Sequence, residues 1–300
     1  MRVGAVDIGT NSTRLLIAEV EDGRVRPLRR ALETTRLGAG LREGILLPES
    51  INRTVTTLCR YRGLLQESGV TREIAVATSA VRDAANRDEF VEVVKGETGF
   101  DVRVINGHEE AAYSFGGVVS GLSLPPDQVL VMDVGGGSTE FVWQNAGVLQ
   151  KKSLALGAVR MTLESSTSEN MREVLRPVAK MVSRLSSLRL VGVGGTCTTL
   201  AAIDLKMEHY DPDGVHGYIL TRRRVGELLD ELARCTLEER QRIPGLQPER
   251  ADIIVAGVRI VFNAMMVFNR DQIQVSEADI LYGLALNAAQ DVEQKGGASY

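Results

Sequence analysis

Two stretches of the chain share one rhythm of apolar and polar positions. Val3, Ala5, Val6 and Ile8 read as a buried strand, 9–12 is a polar turn with glycine, and Leu15, Leu16 and Ile17 resume a strand. Val131, Met132 and Val134 repeat that strand, Gly135, Gly136, Gly137 and Ser138 repeat the turn, and Phe141 opens the next strand. Setting Asp7 on Asp133 lays Gly9 on Gly135, Ser12 on Ser138 and Thr13 on Thr139. Each copy continues to a turn, Asp22-Gly23 or Ala146-Gly147, then a further strand. A Leu-Gly-Ala triplet follows each time, Leu37-Gly38-Ala39 and Leu156-Gly157-Ala158. An ordered recurrence of this length is a repeat of a three-stranded unit rather than of one loop.

Between and after the copies the period changes to that of helices. Ile51, Val55, Leu58 and Leu65 mark one face of a helix over 48–68, with Pro48 in its first turn and Gly69 at its end. A strand is expected over 72–79, and a helix from Arg87 to Gly99 capped by Asn86 with Glu89 in a capping box. A strand over 101–105 and a helix over 107–119 follow, then a linker, Ser123-Leu124-Pro125-Pro126-Asp127. After the second copy, 168–187 reads as helix with a kink or break at Pro177. A strand over 188–192 leads into Gly192-Val193-Gly194-Gly195-Thr196 and a helix to Asp204, and 209–216 reads as polar loop. Thr221 caps a helix to Arg234, and Thr236 with Glu239 caps a short one. Pro248 opens a helix to Phe268, 273–275 is a strand, 280–291 a last helix, and 295–300 a disordered tail. Strands alternating with helices predict two α/β domains, 1–124 and 125–300, with the last helix, about 280–294, packing back on the first.

Composition narrows the classes. The 300 residues carry a formal net charge of −4, so no global basic field draws the chain to nucleic acid or a membrane surface. No apolar run is long enough to span a bilayer. Cys59, Cys197 and Cys235 have neither metal-ligand spacing nor a disulfide pattern, which points to a reducing cytoplasm. An anionic substrate must then be held by a local site.

Glycine turns bring bare amides close to a ligand, and successive amides form a concavity for phosphate oxygens. Gly9, Thr10, Asn11 and Ser12 are the first candidate phosphate loop, and Gly135, Gly136, Gly137 and Ser138 the second. Asp133 beside the second loop is placed to hold a divalent cation, Asp7 is its counterpart, and Glu140 lies where the hairpin returns it towards the same ligand. The plain alternatives are an aspartate that fixes its turn and a glutamate on a solvated strand face. Glu109 and Glu110 in the first turn of their helix equally suit the helix dipole.

Paired strand–turn–strand units with this aspartate resemble the actin, sugar-kinase and Hsp70 superfamily. Three stretches narrow the resemblance to the exopolyphosphatase and guanosine-pentaphosphate phosphohydrolase (Ppx/GppA) family: Ala5-Val6-Asp7-Ile8-Gly9-Thr10-Asn11-Ser12, Val104-Ile105-Asn106-Gly107-His108-Glu109-Glu110-Ala111, and Val191 to Leu200 around the third glycine motif. Asn106 stands where that family usually has serine, and a chain ending at 300 is expected to be the short form, without the additional C-terminal helical module of longer relatives. The resemblance implies two ribonuclease H-like domains facing each other across a cleft. It implies Glu110 as the catalytic base with Glu140 assisting, Arg82 as a phosphate contact, and Mg²⁺, or Mn²⁺, held at Asp133 and Asp7. It also implies a homodimer. The expected activity is release of orthophosphate from inorganic polyphosphate. The alternatives are hydrolysis of the 5′-phosphate of guanosine pentaphosphate, a sugar or acid kinase, and a non-catalytic sensor of polyphosphate or guanosine penta- or tetraphosphate.

Overall fold

The computed structural model describes residues 1–164, 167–183, 185 and 188–296. The chain divides into two compact units: Met1–Gly121 joined by the chain from Ile280, and Leu122–Asp279. The second unit thus begins three residues before the expected boundary and ends before the last helix, which belongs to the first unit.

In the first unit, strands β1 (Arg2–Ile8), β2 (Thr13–Glu21) and β3 (Arg24–Glu33) form an antiparallel meander. A 3₁₀ helix (Leu37–Glu43) carries the first Leu-Gly-Ala triplet, an element the apolar pattern did not predict. Helix α1 (Pro48–Glu67), strand β4 (Arg72–Ala77), the short α2 (Ser79–Asp83), α3 (Arg87–Thr98), β5 (Val102–Val104) and α4 (Gly107–Leu122) complete the run. The sheet order is β3-β2-β1-β4-β5, with β4 parallel to both β1 and β5. The expected strand over 72–79 stops at Ala77 because α2 starts at Ser79.

Asn86 opens α3 without the expected side-chain cap. Its amide instead pins another segment, accepting from Leu46 N at 2.8 Å and donating to Leu46 O at 3.0 Å. Gly99 closes the helix at φ 72°, a left-handed conformation that glycine adopts without the Cβ clash. Phe90 and Phe100 are wholly buried in the core beneath α1 and α3, each worth about 2–3 kcal/mol of burial.

The second unit opens with the same meander: β6 (Val129–Val134), β7 (Thr139–Asn145) and β8 (Val148–Leu154). Its hairpin turn Ala146-Gly147 has positive φ at both residues, 50° and 79°, matching 48° and 71° at Asp22-Gly23. Two consecutive positive φ values match the right-handed twist of paired strands. Then come α5 (Ala158–Leu163), α6 (Ser168–Val182), β9 (Arg189–Val193), α7 (Gly194–Asp204), α8 (Pro212–Val215), β10 (Ile219–Thr221), α9 (Arg222–Arg234), α10 (Leu237–Arg240), α11 (Ile254–Val267) and β11 (Gln272–Val275). The sheet order is β10-β11-β9-β6-β7-β8.

Thr221 and the Thr236–Glu239 capping box open α9 and α10 as expected. Helix α6 runs through Pro177, and the last part of the helix predicted to 187 lies outside the described residues. The loop expected over 209–216 contains α8, whose Asp211 cap accepts from Asp213 N. Pro248 opens a separate 3₁₀ turn (Pro248–Arg250), and α11 starts only at Ile254. Its Ile, Val and Met face is core, where Phe268 meets Phe141 edge-on at 5.0 Å. The last helix, α12 (Ile280–Gly296), packs on β1, β2 and β4 of the first unit and covers the start of the expected tail. Residues 297–300 lie outside the described residues.

Candidate active site

The first loop joins β1 to β2. Gly9 N closes it on Ser12 O at 3.0 Å. Its carbonyls are turned away from solvent: Thr10 O accepts from Gly38 N at 2.8 Å and Asn11 O from Arg36 N at 2.9 Å. The amides of Thr10, Asn11 and Ser12 donate to no described residue. The second loop repeats this plan. Gly135 N donates to Ser138 O at 2.9 Å, while Ala158 N donates to Gly135 O and both Val159 N and Arg160 N donate to Gly136 O. The amides of Gly136, Gly137 and Ser138 likewise donate to no described residue. The two Leu-Gly-Ala triplets and the residues beside them are therefore anchors: Gly38 with Arg36 in the first copy, and Ala158 with Val159 and Arg160 in the second, take the loop carbonyls. Gly157 is glycine because a Cβ there would collide with the backbone of Gly136 and Gly137.

Glu110 and Arg82 meet in the first unit. Asn106 caps α4, its Oδ1 accepting from His108 N (2.9 Å) and Glu109 N (3.0 Å), while Glu109 Oε2 accepts from Asn106 N at 2.9 Å. Asparagine thus does the work of the family's serine, and the reciprocal bond commits Glu109 to the cap. Glu110, the next residue around the helix, points elsewhere. Its Oε2 accepts from Arg82 Nη1 at 3.1 Å, and the same nitrogen donates to Ile105 O at 3.0 Å. Both side chains keep about a third of their surface, 28% for Arg82 and 32% for Glu110. Helix α2 links this pair to the first loop, since Ser79 Oγ lies 2.9 Å from Thr10 Oγ1.

Asp7 and Asp133 occupy equivalent strand positions but face opposite partners. Asp7 is paired across the strands with Arg14, and Asp133 with Glu140. Arg14 donates to Asp7 Oδ2 from Nε at 3.0 Å and from Nη2 at 2.6 Å. Glu140 Oε1 accepts from Ser138 Oγ and Ser153 Oγ, each at 2.7 Å. Carboxylates directly opposite in an antiparallel pair repel. One or two carboxylates with open coordination suit Mg²⁺, which retains water and phosphate oxygens as its other ligands. Asp133 and Glu140 supply two carboxylates at neighbouring positions, the kind of donor such an ion takes. No cluster of three or more acidic, histidine or cysteine side chains occurs among the described residues.

The third glycine motif flanks Asp133. A Cβ on Gly192 would press on Cys197 Sγ at 2.6 Å and Ile273 Cδ1 at 2.7 Å, so this glycine serves helix–strand packing. Gly194, at φ 79°, leaves room for Asp133 Oδ1, and the Arg250 guanidinium lies across Gly195. Burial, with Asp133 adding to it, pushes the Cys197 thiol well above the usual thiol range. Arg250 and the anchoring triplets escaped sequence reasoning. The triplets were visible as a repeated signal, whereas Arg250 carries none.

Two α/β units, each built on a meander with an amide-lined loop behind a strand-end aspartate, define an enzyme of the actin-like class that handles phosphate. The Ppx/GppA phosphatase family model matches residues 16–289. The chain is 36% identical to Exopolyphosphatase 2 of Mycobacterium tuberculosis over 96% of its own length and 98% of that protein. It is 35% identical to the bifunctional 3-dehydroquinate synthase/phosphatase of Fusobacterium nucleatum, of which it spans 46%. Among solved structures, the Aquifex aeolicus Ppx/GppA family member superposes with a TM-score of 0.83 at 33% identity, covering 97% of this chain and 98% of that one. An exopolyphosphatase from Cytophaga hutchinsonii gives 0.83 at 29% identity with the same coverage. The chain belongs to the Ppx/GppA phosphatase family.

Proposed function

We propose that the protein is a Mg²⁺-dependent exopolyphosphatase, releasing orthophosphate from the end of inorganic polyphosphate with Glu110 as general base. The observation that carries the hydrolytic reading is the Glu110–Arg82 pair: a carboxylate excused from helix capping beside a guanidinium that a phosphate oxygen can recruit. Exopolyphosphatase is also the name of a relative that matches along nearly its whole length.

In this reading the uncommitted amides of Thr10, Asn11 and Ser12 and of Gly136, Gly137 and Ser138 hold phosphate oxygens before reaction. Arg82 grips the terminal phosphate. Glu110 accepts a proton from a water, whose oxygen bonds to the terminal phosphorus as the bridging P–O bond breaks. The leaving chain, shorter by one phosphate, departs with the bonding pair. Asp133 and Glu140 would hold Mg²⁺, which when bound neutralises phosphate oxygens. The ion is assigned to these two rather than to Asp7, whose Oδ2 is taken twice by Arg14.

Guanosine pentaphosphate is the second substrate to test, because the third glycine motif presents Asp133 and Arg250 rather than apolar groups at Gly194 and Gly195. Purified protein with Mg²⁺ and polyphosphate is expected to release phosphate, and Glu110→Gln to lose about 10²–10⁴-fold in kcat with binding retained. Full activity of that variant removes Glu110 from the mechanism. A kcat/KM that strongly favours guanosine pentaphosphate in direct competition replaces polyphosphate as the substrate.

A further inference from the structure

We propose that Arg160 is a positioning residue for the second phosphate loop, acting through one hydrogen bond rather than through its charge. The loop has three successive carbonyls to dispose of if its amides are to face an anion. Backbone amides deal with the first two: Ala158 N takes Gly135 O at 2.9 Å, and Val159 N and Arg160 N take Gly136 O at 2.9 and 3.0 Å. The third has no backbone partner, and Arg160 Nε donates to Gly137 O at 2.9 Å.

The Gly137 peptide is the one the loop holds least. Apart from its chain neighbours, no atom lies within 4 Å of where its Cβ would be, whereas Gly136 has Val159 Cγ2 at 3.3 Å. Gly137 O is also part of the peptide whose nitrogen belongs to Ser138. Fixing that carbonyl fixes the direction of the Ser138 amide, and Ser138 Oγ in turn donates to Glu140. Arg160 thus sets the last amide of the loop and steadies the residue that orients a proposed ion ligand. The first loop is anchored differently. Its two anchored carbonyls, of Thr10 and Asn11, both take backbone amides.

Nη1 of Arg160 lies 3.6 Å from Glu164 Oε1. This half-exposed i,i+4 pair contributes little on its own. The Nε–H is the part of the side chain that touches the loop.

The inference rests on the phosphate-binding reading of the loop but not on polyphosphate as substrate. Gln and Met variants separate its terms. In Arg160→Gln the amide nitrogen stands where Nε stood, so a donor remains and the charge is gone. Arg160→Met keeps the chain length and removes both. KM and kcat are measured on polyphosphate and guanosine pentaphosphate, with pyrophosphate affinity by calorimetry and the melting temperature alongside. Expected are near wild-type KM and affinity for Arg160→Gln, and a loss of about fivefold in both for Arg160→Met, the worth of one hydrogen bond. The melting temperature should fall by no more than about 4 °C in either variant.

Equal losses in the two variants would mean that the charge itself binds phosphate, and wild-type behaviour of Arg160→Met would mean that the bond is idle; either overturns the proposal. If wild-type protein hydrolyses neither substrate, the functional reading fails while the pyrophosphate affinities still decide on Arg160.

Discussion

Arg14 and Asp7 permit a test of where the metal belongs. Asp7 is 5% exposed and Arg14 donates to it twice, from a side chain that keeps a quarter of its surface. Removing one member of a buried pair strands the other charge at a cost of about 3–5 kcal/mol. The partial exposure of Arg14 lets water reach the site, so about 2–3 kcal/mol is expected for Arg14→Met. At about 2–4 °C per kcal/mol for proteins of this size, the melting temperature should fall by roughly 4–12 °C. Replacing both, Arg14→Met with Asp7→Asn, removes the stranded carboxylate and should recover most of the loss. Urea unfolding of the four proteins in the cycle gives the coupling directly.

Repeating the melts with Mg²⁺ tests the assignment of the ion. Saturation at 100 times the dissociation constant adds about 2.7 kcal/mol to a protein that binds one ion. That gain should persist in Arg14→Met and in the double variant and vanish in Asp133→Asn. A double variant no more stable than Arg14→Met would refute the ion-pair reading. Loss of the Mg²⁺ gain on Asp7→Asn alone would move the ion to the first loop.

Four further outcomes are expected. Glu110→Gln and Asp133→Asn combined should reduce kcat by much less than the product of their single effects if both serve one chemical step; multiplicative losses would separate them. Asn106→Ala should cost about 1 kcal/mol through the lost cap, and Glu109→Gln should leave kcat within about twofold; a collapse of kcat in Glu109→Gln would give that residue a chemical role. Burial raises the Tyr61 phenol and the Cys197 thiol, so the folded protein retains protons that the unfolded chain gives up above about pH 8.5 for the thiol and 10 for the phenol. Stability contributed by these groups is whole below those values and declines as pH rises past them, and Tyr61→Phe should flatten the alkaline part of the curve. Thiol alkylation of the folded protein should modify exposed Cys59 long before buried Cys197; comparable rates would contradict that burial.

The meanders were legible because each rests on a local rule. Short apolar runs, turns that need positive φ, and a repeated Asp-x-Gly fix β1–β3 and β6–β8 without reference to anything distant. The Thr221 and Thr236 caps were equally local. What escaped depended on long-range partners. Asn86 looks like a helix cap in sequence, but Leu46, 40 residues away, claims both ends of its amide. Arg250 lies over Gly195 from a remote 3₁₀ turn, and nothing in the spacing of either announces it. Pro248 was read as a helix start, but the chain makes only a 3₁₀ turn before α11, because proline favours a first turn without fixing how far the helix continues.

The position of Arg14 in one repeat is the position of Glu140 in the other, and the difference sets what each hairpin can do. In the first, the strand-end aspartate meets a guanidinium and the charges cancel within the protein. That hairpin needs no ion to be stable, and its loop is left to bind through amides. In the second, two carboxylates stand opposite each other, and the serines on Glu140 donate hydrogen bonds without bringing positive charge. In the proposed function a cation arriving with the polyphosphate would be held by these two carboxylates. Reversing the asymmetry tests the idea. Glu140→Gln relieves the repulsion and keeps a hydrogen-bonding side chain, so the melting temperature without Mg²⁺ should hold or rise while the Mg²⁺-induced gain shrinks. A fall without Mg²⁺, with the gain intact, would show that Glu140 serves the sheet and not the ion.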